Sequence, residues 1–122
     1  MSAKRILVVD DEEPIRQVVR LVLGGAGFQV AEATDGEDAL RQVARLGSAF
    51  DLILLDQNMP GMSGTETFRH LLAHLPASRI VLLSGIVLLD PERIQALGAQ
   101  RVLPKPFANE ELIRMVRDAV EG

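Results

Sequence analysis

Three stretches of this chain are apolar without interruption: Ile6 to Val9, Leu52 to Leu55 and Ile80 to Leu83. A strand with one wet face alternates polar and apolar residues. A run with no polar residue suits a strand covered on both sides, as in a parallel sheet. Gln29 to Ala33 and Arg101 to Leu103 are weaker runs and fit strands nearer the sheet edges. The segments between the runs have helical period. Ile15, Val18, Val19, Val22 and Leu23 form one stripe. Phe68, Leu71, Leu72 and Leu75 form another, and Leu112, Ile113, Val116 and Val120 a third. Ala39, Leu40 and Val43 mark a weaker helix. Asp90-Pro91-Glu92 predicts a helix start, with an acid as cap and proline in the first turn, and that helix stops near Gly98. Asn109 is expected to cap the last helix, with Glu110 and Glu111 in its positive first turn. Pro14, Gly24-Gly25-Ala26-Gly27 and Pro76 punctuate other junctions. The order is βαβαβαβαβα, and strands separated by helices imply right-handed crossovers and a doubly wound parallel α/β sheet.

At 122 residues the chain suffices for one domain and one core, with no internal repeat or interdomain linker. The net charge of −4 argues against a large nucleic-acid footprint, which needs a basic surface. With no cysteine there is neither a disulfide nor a thiolate metal site, and a reducing compartment is the simplest fit. The first apolar run gives way to four acidic residues too soon for a signal-peptide core. No stretch approaches the roughly 20 apolar residues of a membrane helix. The expectation is a cytoplasmic protein.

In such a sheet, ligands bind beyond the carboxyl ends of the strands. Asp10-Asp11 follow the first strand, Asp56 ends the third, Ser84-Gly85 the fourth, and Pro104-Lys105-Pro106-Phe107 follow the fifth. Three carboxylates, a hydroxyl and an ammonium are thus expected at one edge. Singly, each has a plainer reading. Asp10-Asp11 could merely start a helix, Ser84-Gly85 could be a turn, and Lys105 could be a solvated lysine. Asp56 is harder to dismiss. Two carboxylates about 4 Å apart repel by roughly 4 kcal/mol at an effective dielectric of about 20, so a cluster is kept most easily around a cation. Oxygen ligands with no histidine or cysteine nearby indicate Mg²⁺ rather than zinc. A carboxylate beside that ion, with a lysine and a hydroxyl opposite, is suited to attack phosphorus and hold an acyl phosphate.

These residues resemble the receiver domains of two-component response regulators, the CheY-like family. ILVVDDE at 6–12, LILLDQNMPGMSG at 52–64, LLSG at 82–85 and LPKPF at 103–107 carry the resemblance, which covers essentially the whole chain. It implies a flavodoxin-like fold with five helices and strand order 2-1-3-4-5, a single receiver domain over 1–122, and no output domain in this chain. It implies that Asp56 is the phosphoacceptor, Asp11 a direct metal ligand and Asp10 an acid acting through metal-bound water. Asn58 falls where a backbone carbonyl binds the metal and the N–H faces the phosphoryl group. Ser84 falls on the hydroxyl that moves to bond the phosphoryl oxygen, and Lys105 on the lysine that pairs with it, followed by a cis Lys105–Pro106 bond. Mg²⁺ is the implied cofactor, with Mn²⁺ as a substitute. The implied partners are a sensor histidine kinase or phosphotransfer protein, and an output domain or downstream protein. Neither nucleic acid nor membrane is expected to bind this domain. It would act as a signalling domain, catalysing only its own phosphoryl transfer and slow dephosphorylation.

Three departures stand out. Val102 occupies the strand-five position where receivers commonly carry an aromatic ring. Ile86 lies two residues after Ser84, where polar residues are common, and the Ser84 to Lys105 interval is about one residue short. Residues 86–89 are all apolar, as a docking loop or simply as packing under the short helix. Val102 and Ile86 permit an alternative, a receiver-fold binding module independent of phosphorylation. An aspartate-based phosphatase is disfavoured, because Asn58 stands where such enzymes want a second acid.

Overall fold

The computed structural model describes residues 3–46, 49–59, 61–85 and 91–121. Pro60, the 86–89 loop with Ile86, and the expected cap Asp90 lie outside the described residues. Strands and helices alternate as expected: β1 (Arg5–Val9), α1 (Glu13–Gly25), β2 (Gln29–Ala33), α2 (Gly36–Leu46), β3 (Leu52–Asp56), α3 (Gly64–Leu71), β4 (Ile80–Gly85), α4 (Pro91–Leu97), β5 (Arg101–Lys105) and α5 (Asn109–Glu121). A 3-10 turn, Ala77–Arg79, leads into β4. The five strands pair in parallel, in the order β2-β1-β3-β4-β5.

The uninterrupted runs are buried on both faces, as their composition requires. Leu7, Val9, Ile53, Leu55, Ile80 and Leu82 face the core under α2 and α3, against Ala39, Val43, Phe68 and Leu71. Ile6, Val8, Leu52, Leu54, Val81 and Leu83 face the other way, against Val19 and Leu23 of α1 and Leu112 and Val116 of α5. Alternation of side chains along a strand turns one apolar run into two cores. Gly27, at φ 98°, turns the chain from α1 into β2, a conformation glycine adopts without strain.

Four local expectations needed correction. Leu72 is 41% exposed, because α3 ends at Leu71 and Leu72 is its C-cap. Leu75 is still buried, brought inward by a turn in which its N–H bonds the Leu71 carbonyl at 3.0 Å. Val18 is 45% exposed and lies at the rim of the α1 stripe. Asn109 opens α5 rather than capping it. The Ala108 carbonyl takes the first helical bond from Leu112, and Glu111 reaches back to the Ala108 N–H at 3.1 Å. Finally, β5 runs through Pro104 to Lys105, with Pro104 opposite Ser84. Proline is tolerated there because β5 is an edge strand. Among the described residues, no helix is long and apolar enough to cross a membrane.

Candidate functional site

Parallel pairing sets the site. Val9 is opposite Leu55, so the acids that follow, Asp10 and Asp56, emerge from adjacent strands at the same level. Asp56 is in register with Leu83, and Gly85 with Lys105. Asp10 is fully buried and Asp56 nearly so, while Asp11 is exposed. One carboxylate oxygen from each of the three lies within 4.8 Å of the others.

The Lys105 ammonium stands between the two buried acids, 3.0 Å from Asp10 Oδ2 and 3.2 Å from Asp56 Oδ1. The ammonium, which the sequence placed opposite a metal ion, offsets part of the repulsion between these two carboxylates. Burial pushes the Asp56 carboxyl above its ordinary value, and the Asp10 charge pushes the same way. Lys105 and the Asn58 N–H act against this without cancelling it. Burial also disfavours the Lys105 ammonium, but hydrogen bonding and attraction to Asp10, then to Asp56, outweigh it and raise the lysine.

Asp10 is fixed from several sides. Its Oδ1 accepts the Glu12 N–H at 2.9 Å, and its backbone carbonyl accepts Arg16 Nη1 at 2.7 Å. Arg16 is in turn oriented by Glu32 on β2, at 3.2 Å. The Asn58 N–H donates to Asp56 Oδ1 at 3.3 Å. The loop after β3 folds back on the strand end, where the Gly64 N–H bonds the Gln57 carbonyl at 3.1 Å. A Cβ at Gly64 would collide with the backbone of Asp56 and Gln57, so the approach requires glycine.

Ser84 is fully buried, but its hydroxyl points elsewhere. It donates to Gln57 Oε1 at 2.7 Å, with the Gly85 carbonyl 3.2 Å away. Neither the Gln57 side chain nor Arg16 was anticipated. A polar residue directly after the buried acid is the only sequence signal for the first. The Lys105–Pro106 bond is cis. Val102 is half-buried against the core under α2 and α3.

The three oxygen-donor side chains, without histidine or cysteine, suit a hard divalent cation such as Mg²⁺. A doubly wound sheet in this order, with acids and a lysine at its carboxyl edge, defines a receiver-type signalling domain. The sequence model of the response regulator receiver domain matches residues 6–117, and the chain belongs to that family. It is 38% identical over 122 residues to the phosphate regulon transcriptional regulatory protein PhoB of Escherichia coli, an alignment covering 94% of this chain and 51% of PhoB. This chain thus spans about half the length of the curated relatives it matches. Chemotaxis protein CheY4 of Vibrio cholerae superposes with a TM-score of 0.82 at 32% identity, covering 97% of this chain and 99% of that one. A receiver domain protein from Clostridium thermocellum gives 0.89 at 28% identity, covering 97% and 94%.

Proposed function

We propose that Asp56 is the phosphoacceptor of a two-component phosphorelay. The observation that carries this reading is the Asp10–Lys105–Asp56 arrangement at the sheet's carboxyl edge. A carboxylate oxygen of Asp56 forms a bond to phosphorus as the bond to a donor nitrogen breaks, leaving an acyl phosphate. The donor is a phosphohistidine on a histidine kinase or phosphotransfer protein, and its imidazole leaves with the electron pair and takes up a proton. Lys105, already 3.2 Å from Asp56, pairs with the phosphoryl charge. Ser84 turns to donate a hydrogen bond to a phosphoryl oxygen, and the Asn58 N–H, already directed at Asp56, donates another. Asp10, Asp11, Asp56 and the Asn58 backbone carbonyl would hold Mg²⁺, or Mn²⁺ in its place. When bound, that ion neutralises charge on the transferring group.

The chain acts as one receiver unit over 1–122, and its state is read by an output domain or a separate protein. PhoB is a transcriptional regulator by name, and an output of that kind fits the half-length match. An apolar groove of about 310 Å³ beside the site, lined by Ile15, Val18, Pro106 and Phe107 with Lys105, suits a protein partner. The domain catalyses only this transfer to Asp56 and the slow hydrolysis of the acyl phosphate, in which water takes the phosphoryl group and Asp56 leaves as the free carboxylate. Intact-mass measurement after incubation with Mg²⁺ and acetyl phosphate tests the reading. The expected result is one added phosphoryl group, absent in Asp56→Asn. Equal addition to that variant would refute the assignment.

A further inference from the structure

The 2.7 Å bond between Ser84 and Gln57 joins residues 27 positions apart, and its geometry bears on switching. Gln57 and Ser84 continue the alternation of Leu55 and Leu82, so both side chains leave the sheet on the face covered by α2 and α3. Asp56 has the opposite alternation, with Leu52 and Leu54. A serine hydroxyl has one proton to give. While Gln57 Oε1 holds it, none is offered to an oxygen on Asp56. The Gln57 backbone is anchored on both sides, its N–H to the Leu83 carbonyl at 3.0 Å and its carbonyl to the Gly64 N–H at 3.1 Å. Only the side chain is free to let go.

We propose that Gln57 is a positioning residue that holds the Ser84 hydroxyl in its resting direction, so that bonding to a phosphoryl group on Asp56 must first break the Ser84–Gln57 bond. The inference rests on the phosphoacceptor reading above. The released carboxamide faces a cleft of about 340 Å³ that it lines with Thr65, Arg69, Ile94, Ala96 and Leu97. It then seeks a new partner there, against α4. Movement of Ser84 is thereby felt by α4 through a carboxamide.

The resting bond biases the domain against the phosphorylated state by what a neutral hydrogen bond is worth, roughly two- to tenfold. The test is calorimetric titration with beryllofluoride, a phosphoryl mimic, in the presence of Mg²⁺. Four proteins are compared: the parent, Gln57→Met, Ser84→Ala and the double variant. Methionine keeps the length and loses the acceptor. The expected result is binding roughly two- to tenfold tighter in Gln57→Met, with no such gain when Ser84 is already alanine. In the parent, the Gln57 side-chain amide resonances should move on adding beryllofluoride. Gln57→Ala repeats the measurement by truncation should methionine crowd the cleft. Unchanged or weaker binding by the Gln57 variants, or an equal gain with and without Ser84, overturns the role of Gln57 alone. A parent that binds no beryllofluoride overturns the phosphoacceptor reading and this inference together.

Discussion

Asp56 carries its charge where burial resists it, and this has a measurable sign. An acid whose folded pKa is raised binds its proton more tightly in the folded state. Its ionisation therefore takes stability away as pH rises through the ordinary carboxylate value, and the loss is complete above the folded value. Asp56→Asn removes that loss. It should be more stable than the parent near pH 7, on the order of 1 kcal/mol. The advantage should vanish as pH falls below the ordinary value of 3.8. Urea unfolding at two pH values checks this, and a parent that is the more stable at pH 7 would show that Lys105 outweighs burial. The neighbouring acids should behave differently. Asp10 is fully buried and holds both Lys105 and the Glu12 N–H. Asp10→Ala should lose about 2 kcal/mol or more in the same measurement. Asp11 is exposed, so Asp11→Ala should leave apo stability within about 0.5 kcal/mol while weakening Mg²⁺ binding. A marked apo loss in Asp11→Ala would mean that this acid is structural. The places of all three acids and Lys105 at the sheet's edge were legible in the sequence, because Asp10 follows an apolar run with Asp11 beside it, Asp56 ends another, and Lys105 lies two residues past Leu103. The bond from Gln57 to Ser84 was not, since nothing in the residues around Gln57 names an acceptor's partner on the next strand.

Among the elements, α3 and β5 show where local pattern ends and tertiary context begins. The stripe through Leu72 and Leu75 reads as continuous helix, yet the helix stops at Leu71 and a turn delivers Leu75 to the core. Periodicity registers burial and does not distinguish the two routes to it. Proline 104 argues for ending β5 at Leu103, and only the strand's place at the sheet edge lets pairing continue to Lys105. The start of α3 carries a further prediction. Gly64 lies against backbone that cannot swing aside, so Gly64→Ala should cost about 1 to 3 kcal/mol in denaturant unfolding and should slow phosphorylation by acetyl phosphate. A neutral outcome would mean that the loop at 57–64 adapts freely. β5 also bears on signalling. Val102 is half-buried and stiff about its single torsion, so it cannot swing from solvent into a pocket as a ring does. Beryllofluoride should therefore shift the amides of Gly85, Ile94 and Leu97 more than that of Val102. Large shifts confined to β5 with a quiet α4 would overturn this route.

For the molecule as a whole, the proposed metal site predicts a link between Mg²⁺ and folding. An ion that binds only the folded form adds stability that grows by about 1.4 kcal/mol for each tenfold rise in concentration above its dissociation constant. The midpoint of thermal unfolding should therefore climb with Mg²⁺ in the parent and stay nearly flat in Asp11→Asn. An equal climb in both would place the ion elsewhere. The fold was legible at this scale because three runs, too apolar for any half-exposed strand, dictate a covered parallel sheet. That sheet has two open borders, β2 and β5. At the first, Glu32 is held in ion pairs with Arg16 and Arg20. At the second, Pro104 has no N–H to offer an incoming strand. A second chain laid along β5 meets a gap in the ladder, and one laid along β2 meets fixed charge. Neither border of the described sheet therefore offers an incoming strand an uninterrupted template for pairing.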